Sequence, residues 1–433
     1  MAIRLFCFYT FYLDMKKLLL LLLSVFVFVS CSDEIPEEKV PVKSGRTVLA
    51  YLISNNAGHD LDSDLKQNLV DMYSGLSQTT DSCTLLVYYR PYDGDADGLE
   101  GPSLLQYNSD GKGNINNRRS LQGGDLNPSR VIAEAYCSPY IEKNHNATDM
   151  KTMERVLDQM VKLSPSTNYG IIFGSHGTSW MPGNEIAARS FGDDAGYNIN
   201  IPEMAETLET VFSGRQLDFV LFDACMMAAA EVCYEFKDVT DYLIGAVVET
   251  HVYGYPYDIV LPKLYQKDVP YGDICKDYID YSRQLGAWGT CAAVDCSKMD
   301  DLAEWVGANL EVYSDKLYSF DKDDVQQYGV NSFKYFSFDI VDYFKNLNAG
   351  NTPEGLDDVM NKVVIAKDAL YGENLVSGRY SLYIEEDRFC GIGMYVPYIV
   401  NDNKYINNEY YSTLSWYKAV GWNRFDFNSS SND

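Results

Sequence analysis

Two patterns of apolar and polar residues divide the chain near residue 262. Before that point, short and almost wholly apolar runs, such as TVLAYLIS and DFVLFDA, alternate with longer amphipathic stretches. Apolar runs of this length are typical of parallel strands that helices cover on both faces. The pattern therefore predicts an α/β fold with a mostly parallel sheet sandwiched by helices over residues 46–261. The predicted strands are Thr47–Ser54, Cys83–Arg90, Gly170–Ser175, Phe219–Ala224 and Tyr242–Glu249, and the predicted helices are Asp62–Ser77, Asp149–Leu163, Pro202–Phe212 and one that begins at Met226.

After residue 262 the pattern is dominated by amphipathic helices with a few short strands. We interpret residues 262–433 as a C-terminal α+β region that packs on the first domain. Residues 93–127, which are rich in Gly, Asp, Asn and Ser, predict a long surface excursion with a small hairpin. The predicted C-terminal helices are Tyr271–Leu285, Met299–Tyr318 and Pro353–Leu370, and the predicted strands are Ala292–Asp295, Tyr380–Glu385 and Gly391–Val396.

The N-terminus has the features of an export signal. A lysine pair follows Met15, an apolar run spans Leu18–Val29, and Cys31 comes directly after a serine. The apolar run is too short for a transmembrane helix, so residues 1–30 are predicted to be a signal peptide, with translation starting at Met15. The boundary looks like a bacterial lipoprotein signal, in which Cys31 becomes the lipidated first residue; a plain signal peptide with an incidental cysteine is the alternative. Residues 31–45, acidic and proline-containing, predict an extended tether.

A lipid anchor predicts attachment to a membrane of the cell envelope, at the outer membrane, and Ser32-Asp33-Glu34 favours the cell surface. The chain of 433 residues has a formal net charge of −27. This charge argues against nucleic acid as a partner and favours basic peptides. The 10 cysteines include no CxxC pair for zinc or redox chemistry.

A histidine and a cysteine each follow a predicted buried strand. His176 comes after the run YGIIFGS, and Cys225 comes after DFVLFDA. Catalytic groups of α/β sheets gather beyond the carboxyl ends of parallel strands, so the pair suggests a nucleophile and its base. The histidine precedes the cysteine by about 50 residues, as in caspases and opposite to the order in papain. The alternatives are a structural thiol beside an apolar strand and a loop histidine that caps a strand.

Two neighbouring features favour catalysis. The predicted helix at Met226 places the sulfur of Cys225 at a positive helix N-terminus, which favours the thiolate. Gly177 has no side chain to block a substrate carbonyl, and its N–H together with the N–H of Cys225 can form an oxyanion hole.

Four passages resemble the clostripain-like cysteine peptidases, which share the sheet of caspases and gingipains: TVLAYLISNN from Thr47, GSHGTSW from Gly174, FDACM from Phe222 and YYSTLSWYKAVGW from Tyr410. The resemblance implies a caspase-like fold and a cysteine endopeptidase in which Cys225 is the nucleophile and His176 its base, a dyad that needs no third acid. It also implies an acyl-enzyme, cleavage after Arg or Lys, and maturation by self-cleavage between the His and the Cys.

Specificity for a basic residue requires a carboxylate in the first substrate pocket. Asp223 shares the face of its strand with Cys225, because side chains alternate along a strand, and it matches the family's position; a strand-end or helix-capping aspartate is the alternative. Family members often complete the pocket after the next strand, where Glu249 and Asp258 are the candidate acids here. The chain departs from the family in this segment, because it carries His251 and three tyrosines in place of a Gly/Pro-rich run.

Self-cleavage is predicted at the Arg189–Ser190 bond. The bond lies in a segment that follows Pro182-Gly183 and ends in turn-forming residues, which predicts an exposed loop beside the active site. An ordinary surface arginine is the alternative.

No cofactor is expected to be required. Clostripain itself depends on calcium, which Asp193-Asp194 or the acidic loop Asp93–Asp97 could bind in this chain. Neither segment has EF-hand spacing, so a solvated acidic loop is the simpler interpretation.

Two other functions compete with a peptidase. A catalytically idle surface lipoprotein of the same fold would capture peptide or glycan on its tyrosine-rich surface. Transpeptidation through the same acyl-enzyme would instead transfer the acyl group to an amine.

Overall fold

The computed structural model describes residues 43–56, 58, 61–93, 99, 101–139, 145–183, 190–317, 319–397 and 407–425. The predicted signal peptide, Cys31 and the tether up to residue 42 lie outside these residues. Among the helices described, none is both long enough and apolar enough to cross a membrane.

In the described residues the strands form a central sheet and three small two-stranded sheets. In chain order they are β1 (Lys43–Ile53), β2 (Cys83–Arg90), β3 (Ser103–Ser109), β4 (Asn114–Ile115), β5 (Arg118–Arg119), β6 (Tyr136–Pro139), β7 (Ser166–Gly174), β8 (Phe191–Asp194), β9 (Tyr197–Ile199), β10 (Leu217–Asp223), β11 (Thr240–Gly245), β12 (Thr290–Asp295), β13 (Phe338–Asp339), β14 (Val364–Ala369), β15 (Gly372–Val376), β16 (Tyr380–Ile384) and β17 (Gly393–Met394). The central sheet has the order β14-β12-β11-β10-β7-β1-β2-β3-β4-β5, and β6 pairs with β3. The small sheets are β8-β9, β13-β17 and β15-β16.

The centre of the main sheet is parallel. Strands β2, β1, β7, β10 and β11 all run in the same direction, and the outer strands are antiparallel. Gly174 at the end of β7 pairs with Leu52 of β1 and with Asp223 of β10. The residues that follow β7 and β10 therefore leave the sheet side by side at one edge.

Helices cover both faces of this sheet, as the apolar runs predicted. In the described part of the chain they are α1 (Asp62–Leu76), α2 (Pro128–Glu134), α3 (Met150–Leu163), α4 (Ile201–Phe212), α5 (Ala230–Glu235), α6 (Tyr257–Leu264), α7 (Tyr271–Leu285), α8 (Met299–Val312), α9 (Ile340–Leu347), α10 (Leu356–Val363), α11 (Asn408–Tyr411) and α12 (Ser415–Val420).

The two faces of the sheet build two separate hydrophobic cores. Strand β1 shows why, since Leu49, Tyr51 and Ile53 lie in one core and Val48 and Leu52 lie in the other. The first core includes residues of α3, α4 and α8, and the second includes residues of α1, α6 and α7. Burial on both faces explains the nearly unbroken apolar character of the central strands.

The C-terminal region after residue 262 contributes strands to the central sheet. The described residues from Lys43 onward form one compact unit. The central sheet crosses the boundary, because β12 and β14 come from the C-terminal region and extend the sheet beyond β11.

Two sequence predictions of helices were partly wrong. The predicted helix Pro353–Leu370 ends at Val363, and β14 follows it at once, pairing along the edge of β12. Edge pairing suits the β-branched residues Val364 and Ile365, whose stiff side chains disfavour a helix. The predicted helix Met299–Tyr318 ends at Val312 and is followed by a short 3-10 helix at Ser314–Lys316.

The segment 93–127 is only in part a surface excursion. The predicted hairpin is present as β4 and β5, whose turn residues Asn116 and Asn117 both have positive φ angles. The segment also contains β3, a largely buried strand that pairs antiparallel with β2. Its burial was missed because the polar residues that flank β3 dominate the composition of the segment.

Candidate active site

The ends of β7 and β10 bring His176 and Cys225 to one cavity. The backbone N–H of Ser175 donates to the carbonyl of Asp223 at 3.4 Å, which keeps the two chains adjacent beyond the last strand pairing. The cavity has a volume of about 460 Å³. Its lining residues are Leu61, Leu65, Asn68, Ser175, His176, Asp223, Cys225, Glu249, Thr250, His251, Val252, Tyr253, Ala287, Trp288 and Ser377.

The sulfur of Cys225 makes its hydrogen bonds to Thr250. The Thr250 N–H donates to Sγ at 3.3 Å, and the hydroxyl of Thr250 lies 3.5 Å from the same sulfur. Desolvation by the surrounding protein raises the pKa of Cys225 to about 11, and the negative charges of Glu249 and Asp223 add to the rise. The thiol is therefore neutral at pH 7 in this state, and it needs a base to become a nucleophile.

The predicted helix at Met226 was wrong, because α5 begins only at Ala230. Met226 has a positive φ of 60°. Its N–H donates to Val248 at 3.0 Å, and the N–H of Ala228 donates to Ala246 at 2.9 Å. The chain after Cys225 thus runs beside residues 246–248, and Cys225 does not lie at the N-terminus of α5 as predicted.

His176 is held by a residue that the sequence analysis did not single out. Nε2 of His176 lies 3.1 Å from the side-chain nitrogen of Asn56, a buried residue just beyond the end of β1. A hydrogen bond between these two side chains restricts the rotation of the His176 ring. Asn56 could have been found by its position, because β1 is the parallel neighbour of β7.

Gly177 packs directly against the Cys225 segment. Thr178 and His176 on either side of it bond to Ser190 and Gly192, so the N–H of Gly177 itself points away from that neighbour. A Cβ at Gly177 would lie 3.1 Å from the carbonyl oxygen of Cys225. The glycine therefore permits a close approach to the Cys225 segment, and its N–H is the donor predicted for the oxyanion hole.

Asp223 is a buried carboxylate without a basic partner among the residues described. Its Oδ2 accepts from the hydroxyl of Tyr257 at 2.9 Å and from the N–H of Tyr255 at 3.4 Å. Burial raises the pKa of Asp223 to about 6, and these hydrogen bonds offset part of the rise. A Cβ at Gly254, where φ is +66°, would lie 2.4 Å from Oδ2. The tyrosine-rich segment thus donates hydrogen bonds to the Asp223 carboxylate, and Gly254 leaves space for its Oδ2 atom.

The other two candidate acids lie in different places. Glu249 lines the cavity, where its Oε2 accepts from the hydroxyl of Ser377 at 2.6 Å. Asp258 does not line the cavity, because it lies in the first turn of α6, where its carbonyl accepts from the side chain of Gln78 and its charge acts on Asp71. The structure therefore brings Asp223 and Glu249 together with Cys225 and leaves Asp258 outside.

The aromatic wall of the cavity surrounds His251. Its ring stacks on Tyr278, with centroids 5.3 Å apart and an interplanar angle of 9°, and its Nε2 lies 2.9 Å from the hydroxyl of Ser282. Burial lowers the pKa of His251 to about 4, so this ring is neutral at physiological pH. His251 thus forms part of the wall of the cavity that His176 and Cys225 also line.

Comparison with known proteins decides the family. The sequence profile of the clostripain family matches residues 59–427. The chain belongs to the clostripain family. No curated protein matches the chain significantly.

Solved structures of C11 proteases share this fold. An inactive zymogen C11 protease from Parabacteroides distasonis is 25% identical, with a TM-score of 0.66 over 88% of this chain and 99% of that chain. A secreted C11 cysteine protease from Bacteroides thetaiotaomicron, in complex with an irreversible peptide inhibitor, is 22% identical, with a TM-score of 0.66 over 88% of this chain and 100% of that chain. The clostripain-family chain described here is thus a cysteine endopeptidase with a caspase-like fold.

Of the two residues at the predicted self-cleavage bond of this clostripain-family protein, the structure describes Ser190. Arg189 lies outside the described residues. Ser190 is fully buried, accepts from the N–H of Ile201 at 3.1 Å, and leads directly into the β8-β9 hairpin. The exposed loop predicted for this segment therefore cannot extend to Ser190, since Thr178 and Ile201 hold that residue in place.

The acidic residues considered for calcium are engaged by other groups. Asp194 is buried and accepts from Arg90 Nε at 3.1 Å, Asn55 at 2.6 Å and the N–H of Ala147 at 2.6 Å. Asp93 pairs with the same arginine, Arg90, at 2.8 Å. Residues 94–98 of the acidic loop lie outside the described part, within which no group of three or more His, Cys, Asp or Glu side chains could hold a metal ion.

Proposed function

We propose that this cysteine endopeptidase uses a dyad of Cys225 and His176 and cleaves after Arg or Lys. The observation that carries the proposal is the single cavity that holds His176, Cys225 and the buried carboxylate of Asp223. A nucleophile, a base and an anionic pocket in one cleft are what such a reaction requires.

In the proposed mechanism, His176 takes the proton of the Cys225 thiol as the sulfur attacks the scissile carbonyl carbon. The negative charge moves to the carbonyl oxygen, which the N–H groups of Gly177 and Cys225 stabilise. The C–N bond then breaks, and the imidazolium returns its proton to the leaving amine, so that a thioester remains. Water, deprotonated by His176, hydrolyses this acyl-enzyme and restores the free thiol.

Buried charge supports the preference for a basic residue. A carboxylate at the position of Asp223 loses hydration, and a guanidinium or ammonium group would compensate this loss by a charge-assisted hydrogen bond. The negative charges of Asp223 and Glu249 raise the pKa of Cys225. A bound cation would offset these charges and so lower that pKa. A basic substrate would thereby help to ionise the nucleophile that attacks it.

A mixed peptide library tests this proposal. We expect the purified enzyme to release fragments that end in Arg or Lys, with little cleavage after uncharged residues. Absence of any cleavage would favour the idle peptide- or glycan-binding protein. If added amines compete with water for the acyl group, the outcome would instead be transpeptidation.

We also propose that Cys31 carries a lipid anchor that holds the exported enzyme in the cell envelope. The support is the sequence order of lysine pair, apolar run and cysteine. Cys31→Ser is expected to move the protein from the membrane fraction to the soluble fraction, because the acyl chains are lost. Cys7→Ser is the matched control, since Cys7 precedes the proposed start at Met15 and should change nothing. Membrane-bound Cys31→Ser protein would contradict the anchor.

Self-cleavage after Arg189 is a further part of the proposal. The uncut segment would present its own arginine to the Asp223 pocket and so block substrates. The inactive zymogen among the related structures lends support. Ser190, held by Thr178 and Ile201, would remain in place as the new N-terminus after the cut.

A further inference from the structure

A hairpin from the C-terminal region completes the wall of the cavity. Strands β15 and β16 pair antiparallel, and Ser377 begins the turn between them with a positive φ of 52°. Ser377 lines the same cavity as Cys225 and Glu249. Residues more than 120 positions apart in sequence thus meet at one site.

Two hydrogen bonds fix Glu249 at this wall. The hydroxyl of Ser377 donates to Oε2 of Glu249 at 2.6 Å, and the indole N–H of Trp288 donates to the carbonyl of Glu249 at 2.7 Å. The other carboxylate oxygen, Oε1, accepts no hydrogen bond from any residue in the described ranges. One oxygen is therefore held by the hairpin, and the second is available to a ligand in the cavity.

The hairpin is anchored on the same core as the segment that follows the nucleophile. Val376 and Leu382 of the hairpin are buried in a cluster with Ala228 and Val248, which flank the Cys225 region, and Trp288 packs against this cluster. The turn that carries Ser377 is thus supported from below by its own strands. The packing of these strands therefore fixes the position of the Ser377 hydroxyl.

We propose that Ser377 is a positioning residue that orients Glu249 as a second anionic contact for the basic side chain of the substrate. The inference rests on the proposed function and names a specificity determinant of that site. Asp223 is buried in the cavity with 8% of its surface exposed, and Glu249 lies at a less buried position in the wall, so a long cationic side chain could meet both. A hydrogen bond from Ser377 leaves the charge of Glu249 unchanged and restricts its rotamers, which lowers the entropy lost on binding.

The test compares three variants of this hairpin. Ser377→Gly removes the hydroxyl and suits the positive φ, so the turn stays unstrained. Ser377→Asn restores a donor in a residue that tolerates this backbone conformation. Ser381→Ala is the matched control, because it removes a similar serine–glutamate hydrogen bond of 2.7 Å, to Glu373, on the exposed face of the hairpin.

For substrates with Arg or Lys before the scissile bond, Ser377→Gly is expected to raise KM by about fivefold to tenfold with little change in kcat, as loss of one charge-assisted hydrogen bond implies. Ser377→Asn should recover part of this loss, and Ser381→Ala should match the wild type. In a Glu249→Gln background, Ser377→Gly should have no further effect, because the two residues act as one unit.

Distinct outcomes separate the inference from the function on which it rests. A wild-type enzyme without any preference for Arg or Lys would overturn the proposed function and this inference with it. If the wild type prefers Arg or Lys, but Ser377→Gly changes KM for these substrates no more than Ser381→Ala does, only the inference would be overturned. An equal loss in the Glu249→Gln background would do the same, because it would show that Ser377 acts through another group.

Discussion

Replacement of Cys225 by alanine is expected to lower peptide cleavage by roughly 10⁴-fold or more, because Cys225 is the one thiol among the described residues that line the cavity. His176→Ala should give a similar loss, and the double variant should be no worse than either single one, since the two residues act in one step. The measurement is kcat/KM with an Arg-containing peptide, together with the melting temperature of each variant.

The control for this experiment is a second thiol. Cys137 is exposed and lies at the edge of the sheet on β6, so Cys137→Ala should retain full activity. A peptide electrophile that ends in Arg should label the wild type and Cys137→Ala, but not Cys225→Ala. Substantial turnover by Cys225→Ala, with a folded protein, would refute the mechanism.

The same variant reports on maturation. N-terminal sequencing of the wild-type protein should show a second chain that starts at Ser190, and the Cys225→Ala protein should remain a single chain. A fully active wild-type protein with one intact chain would show that this enzyme needs no activating cut.

Asp223→Asn is expected to have the second largest effect. Loss of one partner of a buried charge pair costs about 2–5 kcal/mol, so kcat/KM for Arg and Lys substrates should fall by about 30-fold to several thousand-fold. Cleavage after uncharged residues should change far less. Asp258→Asn is the matched control, because Asp258 does not line the cavity and its loss should leave the ranking of substrates unchanged. An unchanged ranking in Asp223→Asn would place the pocket acid elsewhere.

The stability of Asp223→Asn should depend on pH in a defined direction. The pKa of Asp223 is raised from 3.8 to about 6 in the folded protein, so the folded state binds the proton more tightly than the unfolded chain does. The contribution of Asp223 to wild-type stability should therefore fall as pH rises from about 4 to above 6, by up to about 3 kcal/mol. The asparagine variant lacks this loss, so its melting temperature should exceed that of the wild type at pH 7 by more than at pH 4. Equal differences at both pH values would contradict the burial of this charge.

The sequence by itself determined the central sheet and the residues at its edge. Strands such as β1 are apolar on both faces because helices cover both faces of the sheet. The apolar run can be recognised in the sequence without knowledge of the fold. The placement of His176 and Cys225 followed from the same rule, since parallel strands end together. The two-residue alternation of side chains along a strand predicted that Asp223 faces the same side as Cys225, and both line one cavity.

Tertiary structure alone decided the surroundings of these residues. No helix begins directly after Cys225, because Met226 has a positive φ and the chain there pairs with residues 246–248. Local helix propensity does not encode this long-range contact. Three residues reach the site from parts of the fold that are far apart along the chain: Asn56 follows β1, Tyr257 begins α6, and Ser377 lies in the turn of the β15-β16 hairpin. Hydrogen bonds and desolvation depend on such distant neighbours, so the sequence could specify which groups react, and only the fold could set their orientation and pKa.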